Sequence, residues 1–196
     1  MATRGPYAKG LAKREEILDA ALELFASHGY DRTSVREIAR LTGLTQAGLL
    51  HHFSSKEELF VEVLRRRDRR SQQDFADDFD HGRHTVEGLI AVVRHNAEEA
   101  GLVRLYVAMS AESTADDSPA REFFEARFRD LEAEVAADVR AKQADGLIAA
   151  DLDPDAVASL LLAAADGLQV QWLLDPSGLD MGARLGQLWQ ALLRVH

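Results

Sequence analysis

The stretch TSVREIARLTGLTQAGLLHHFSSK, Thr33 to Lys56, decides the fold of this 196-residue chain. Ser34 followed by Glu37 has the spacing of a capping box, which starts a helix near Ser34. Val35, Ile38 and Ala39 give that helix an apolar side. Gly43, between Leu41 and Leu44, can take a positive φ without a Cβ clash and so turns the chain. Thr45 is placed to cap a second helix. Leu49 and Phe53 fall on one face of it at i, i+4, while Gln46, Ala47 and Gly48 open its other face. Two short amphipathic helices about a glycine turn make a helix-turn-helix, whose second helix enters the DNA major groove. Gln can bond adenine in a bidentate manner, and small methyl-bearing residues can touch thymine. Ser54 and Ser55, with Glu57 and Glu58 behind them, start another helix, with Lys56 in its first turn and free amides suited to a phosphate.

Working outward, KREEILDAALELFASHGY (Lys13 to Tyr30) precedes the motif. Ile17, Ala20, Ala21, Leu24 and Phe25 form its core-facing stripe, and Gly29 ends it. Together with TSVREIARLTGL, TQAGLLHHF and SSKEELF, this segment resembles the DNA-binding domain of TetR-family transcriptional regulators over about 50 residues. The resemblance implies an all-α fold of about nine helices. Residues 1–54 would be a three-helix DNA-binding domain, and 55–196 a helical effector-binding and dimerisation domain. It also implies a homodimeric repressor released from double-stranded operator DNA by a small-molecule effector. The candidate DNA contacts are Thr33, Ser34, Arg36, Thr45, Gln46, Ala47, Gly48, His51 and Lys56. One position departs from the family: Leu50 stands where a phosphate-contacting Tyr is usual. That shifts backbone contact toward His51, His52 or Lys56.

Charge supports a one-ended DNA binder. The net charge is −10, yet residues 1–70 hold 13 Lys and Arg against 10 Asp and Glu, and the rest hold 10 against 23. A basic reader on an acidic body touches DNA with one end. The absence of cysteine excludes disulfides and thiolate metal sites and agrees with a cytoplasmic location. The N-terminus carries no signal-peptide apolar core. Residues 1–10 read as a loose arm in which Arg4 and Lys9 could reach DNA. RRRDRR (Arg65 to Arg70) reads as a solvated face with salt bridges between segments. His81 and His84 with Asp78 and Asp80 are set aside as a metal site, because Gly82 marks a loop and no second ligand cluster exists. No cofactor is expected. An enzyme is excluded by the lack of a nucleophile motif, HExxH, P-loop or glycine-rich dinucleotide turn. A helical interaction protein that has lost DNA binding is the remaining alternative.

The second part reads as further helices: Thr85–Ala100, Leu102–Ser113, Ser118 to about Gln143, Ala156–Leu174 and Asp180 to Val195. Pro119 and Pro154 suit first helical positions. Ala156–Leu174 is apolar nearly all round but interrupted by Asp166, Gln169 and Gln171, so it reads as a buried helix rather than a membrane span. Covered on one side by its own subunit, it needs a second cover. With the Leu185, Leu188, Trp189 and Leu192 stripe, this predicts a four-helix dimer interface that also includes Leu161 and Gly167. Phe75, Tyr106, Met109, Phe124, Phe128, Gln169 and Trp172 are the candidate pocket for a mostly apolar effector, in the pattern of apolar walls with a few polar groups. The same pattern equally describes a core with some satisfied polar groups, and for any one of these residues core is the stronger reading.

Overall fold

The computed structural model describes residues 6–74, 85–118 and 120–193. Among them are nine α-helices: α1 (Pro6–His28), α2 (Val35–Leu41), α3 (Gln46–His52), α4 (Lys56–Asp74), α5 (Val86–Asn96), α6 (Ala100–Glu112), α7 (Arg121–Ala144), α8 (Pro154–Leu174) and α9 (Met181–Leu192). No strand forms among the described residues; Ile148 and Leu193 make an isolated antiparallel bridge. The all-α expectation holds. Pro6 to Gly10 is helical rather than part of a loose arm, since α1 begins at Pro6. Arg4, Phe75 and the His81–His84 segment lie outside the described residues.

The chain forms two compact units, Met1–Asp68 and Arg69–His196. In the first, Ile17, Leu18, Ala21 and Phe25 of α1 are buried together with Ile38 and Ala39 of α2, Leu49 and Phe53, and Leu59, Phe60, Val63 and Leu64 of α4. Phe25, Tyr30 and Phe60 form an aromatic triangle with centroids 5.2–5.7 Å apart. Such edge and tilted pairs add to the burial of the rings themselves. Arg66 ties α4 to α1 through Glu15 and Asp19, and Arg65 pairs with Glu62. That part of the arginine run is therefore a salt-bridged face.

In the second unit one apolar cluster joins Val86, Leu89, Ile90 and Val93 of α5, Val103 of α6, Leu131, Val135 and Val139 of α7, Leu161, Leu162, Ala165 and Trp172 of α8, and Leu185 and Trp189 of α9. A polar bracket closes its edge. Glu87 accepts from Trp189 Nε1 and Lys142 Nζ, both at 3.0 Å, and Asp138 accepts from Lys142 and from the backbone N–H of Val86. Burial pushes the Glu87 carboxyl up. Hydrogen bonds from its own backbone amide, Lys142 and Trp189 outweigh this and hold it below its ordinary value. Burial likewise opposes the Lys142 charge, but its two carboxylates raise it above the usual lysine value. Gly182 lets α9 approach α5 closely, since a Cβ there would fall 2.9 Å from Arg94 Cβ.

α8 is long and apolar enough, by length and composition, to cross a membrane. Here one side of it is buried in the cluster. The other side is open: Leu160 is 68% and Leu174 83% exposed, with Val170 also exposed. Leu188 of α9 is exposed too. This corrects the expected interface. Leu161, Leu185 and Trp189 are at most 1% exposed, because the subunit's own helices cover them. Leu192 is half-buried against the same cluster. Leu188 remains on uncovered surface, and Gly167 is half-buried with open space where a Cβ would stand.

Candidate nucleic-acid interface

Two seven-residue helices carry the candidate interface, and helices so short do not hold themselves together in water. Capping supplies what length does not. Ser34 Oγ accepts from the Glu37 amide at 3.1 Å, as the box spacing predicts. Thr45 Oγ1 accepts from the Gly48 amide at 3.0 Å. At the end of α2, Gly43 takes φ +66°. The Leu44 amide then reaches back to the Ala39 carbonyl at 2.8 Å, the six-to-one bond of a Schellman turn.

Two neighbouring cations on α1 finish the job. Lys13 Nζ donates to the Thr42 carbonyl and Arg14 Nη1 to the His52 carbonyl, each at 2.6 Å. These carbonyls end α2 and α3, where the helix dipole is negative and oxygens lack helical partners. The Arg14 guanidinium also lies 4.0 Å from the Phe53 ring centroid and pairs with Glu62. The sequence reading missed both residues. The signal was there, two adjacent cations on an amphipathic helix before a short motif, but their long side chains reach partners 29 and 38 residues away.

Leu49 and Phe53 bury the inner side of α3, which leaves Gln46, Ala47, Leu50 and His51 exposed on its outer side. Arg36 on α2 is exposed as well. Ser34 and Thr45 are exposed, but their hydroxyls are already engaged as caps. Gly48 is half-buried, and a Cβ there would meet Thr45 Oγ1 at 3.3 Å, so its small size makes room for the cap. Thr33 is corrected outright. It is 1% exposed, and its hydroxyl donates to the Leu24 and Gly29 carbonyls, so it closes the end of α1 instead of facing DNA.

At the start of α4, Ser55 Oγ accepts from the Glu58 amide. Glu58 reaches back to the Ser54 hydroxyl and amide, and these bonds lower its pKa. Lys56 Nζ lies 4.0 Å from the Tyr30 ring centroid, a cation–π contact that fixes its position at the surface.

Of the candidate pocket residues, Tyr106, Met109 and Phe124 are buried and Phe128 is half-buried. The Tyr106 and Phe124 rings are 5.6 Å apart, and Phe124 and Phe128 6.3 Å. Trp172 belongs to the main cluster. Gln169 is buried, with Nε2 donating to Asp166, while its Oε1 accepts no hydrogen bond from the described residues.

A capped helix-turn-helix whose second helix is exposed has the geometry of a DNA-binding domain. Residues 17–63 match the family model of bacterial regulatory proteins of the tetR family, and residues 83–194 match the C-terminal model of BetI-type transcriptional repressors. The second match alone spans more than half the chain, and the chain belongs to the TetR family. It is similar to the HTH-type transcriptional repressor AcnR of Corynebacterium efficiens, 40% identical over 57 residues, which are 29% of this chain and 30% of that repressor. The match therefore spans less than a third of that relative. Over whole chains it is similar to a transcriptional regulator from Saccharomonospora viridis solved with choline. There the TM-score is 0.74 at 26% identity, over 95% of this chain and 100% of that one. SmeT of Stenotrophomonas maltophilia, solved with triclosan, gives 0.74 at 25% identity over 93% and 92%.

Proposed function

We propose that the chain is a homodimeric repressor that acts in the cytoplasm and leaves its operator when a small molecule binds. The observation that carries the DNA half is α3. Its inner face is fixed by Leu49 and Phe53, its ends are held by Thr45 and Arg14, and Gln46, Ala47 and His51 are free to meet bases. Arg36 and Lys56 are suited to phosphates. Dimerisation is supported by the open apolar side of α8, where Leu160, Gly167, Val170 and Leu174 recur at helical spacing. Two-fold symmetry in the protein would match a palindromic operator.

The effector half is supported by the Tyr106, Phe124 and Phe128 rings and by the buried, unbonded Gln169 oxygen, which suits a mostly apolar ligand carrying a hydrogen-bond donor. That a small molecule binds at all is supported by similar chains solved with choline and with triclosan. Release follows only if the effector binds the two states with different affinity. Gln46→Ala tests the reader. It should cost about 1–3 kcal/mol on the best operator and relax preference at one base pair per half-site. Equal binding by mutant and wild type across an operator library would remove Gln46 from the reading surface.

A further inference from the structure

Leu50 is neither a cap nor a buried residue of α3. It is 36% exposed, one helical turn beyond Gln46 on the outer side of α3, while its neighbour Leu49 is fully buried. Leu50 lies at the edge of the core, not among its buried residues, and it has no group with which to bond a phosphate. An exposed leucine on a helix that lies against DNA loses water when the complex forms. That loss is favourable only if the surface it meets is apolar. The major-groove edges of the bases present donors, acceptors and one apolar group, the C5 methyl of thymine.

We infer that Leu50 reads a thymine through its C5 methyl, as a specificity-determining residue of the reader. The inference rests on the assignment of α3 to the major groove. Gln46 and Ala47 lie on the same outer side as Leu50, at i−4 and i−3, so all three side chains address neighbouring base pairs. The methyl contact then selects thymine over cytosine at one position per half-site, without a hydrogen bond.

The test uses the full chain and an operator selected from random DNA, at one fixed salt concentration because affinity varies with salt. Each thymine is replaced in turn by deoxyuridine, which removes only the methyl. At one position per half-site, wild type should lose about fourfold in affinity for each half-site changed, the worth of one buried carbon. Leu50→Ala should bind the thymine and deoxyuridine operators equally at that position. It should keep the wild-type affinity for unrelated DNA, which shows that the reader is still folded. If wild type selects its operator but is indifferent to deoxyuridine everywhere, the proposal is overturned and the DNA-reading assignment stands. If no position loses its deoxyuridine penalty in Leu50→Ala the proposal is overturned too, since other side chains such as Ala47 then hold every methyl that is read. If no operator is selected at all, the assignment of α3 fails before any modified base is used, and the proposal falls with it.

Discussion

The helix-turn-helix and the α8–α9 pair are built on opposite principles. α2 and α3 have seven residues each and are held by hydrogen bonds at their ends: Ser34, Thr45, the Gly43 turn, Lys13 and Arg14. α8 and α9 have 21 and 12 residues and are held by the apolar area they bury against α5 and α7. End-capping fixes where a short helix sits and leaves its outer face free for a partner. Burial fixes a long helix by one side and says nothing of the other until the packing is known. The reader is thus pre-organised by polar contacts, and the second unit keeps an uncovered apolar side.

The largest expected effect lies on the buried side of α9. Trp189→Ala should cost about 3–5 kcal/mol in denaturant unfolding, as removal of a fully buried large ring does. Leu174→Glu, at a position 83% exposed, should leave a folded chain and shift sedimentation toward the monomer. A folded Trp189→Ala protein of unchanged stability, or a Leu174→Glu protein that fails to fold, would exchange the two sides of the comparison.

A smaller effect is expected where polar contacts hold the reader. Arg14→Gln removes a charge-assisted bond to the His52 carbonyl and should destabilise the first unit by about 1.5–3 kcal/mol. DNA titration should show weaker binding to all sequences with base preference unchanged. A changed preference would mean that Arg14 touches bases.

The smallest effect is in the polar bracket of the second unit. Glu87 has its pKa lowered, so its contribution is full above the ordinary carboxylate pKa and is lost as pH falls through the lower folded value. Lys142 is raised, so its contribution is full below the ordinary lysine pKa and is lost as pH rises through the higher folded value. Because Glu87 is nearly half exposed, Glu87→Gln should remove roughly 1 kcal/mol or less of acid-dependent stability, read from thermal melts at a series of pH values. An unchanged acid limb would place the bracket's contribution elsewhere.

The same contrast explains what could be read from the sequence. Ser34, Gly43 and Thr45 act on partners at most five residues away, so their roles were legible in the order of the letters. Thr33 was misjudged because a threonine before a helix suits a cap or a surface contact, and only the fold brings the Leu24 carbonyl to its hydroxyl. Trp189 was misjudged for a different reason. The stripe on α9 shows that one side is apolar, but not whether that side faces α5 or a second subunit. On α8, apolar nearly all round, Leu160 and Leu161 look alike until packing exposes one and buries the other.

The central claim is that α3 reads DNA as one half of a symmetric pair, and selection of bound sequences from random double-stranded DNA by the full chain tests it most directly. The account predicts enrichment of an inverted repeat. In that repeat, Gln46→Ala relaxes one symmetric pair of positions and leaves the others intact. Recovery of unenriched DNA, or of a motif without two-fold symmetry that Gln46→Ala does not alter, would contradict it.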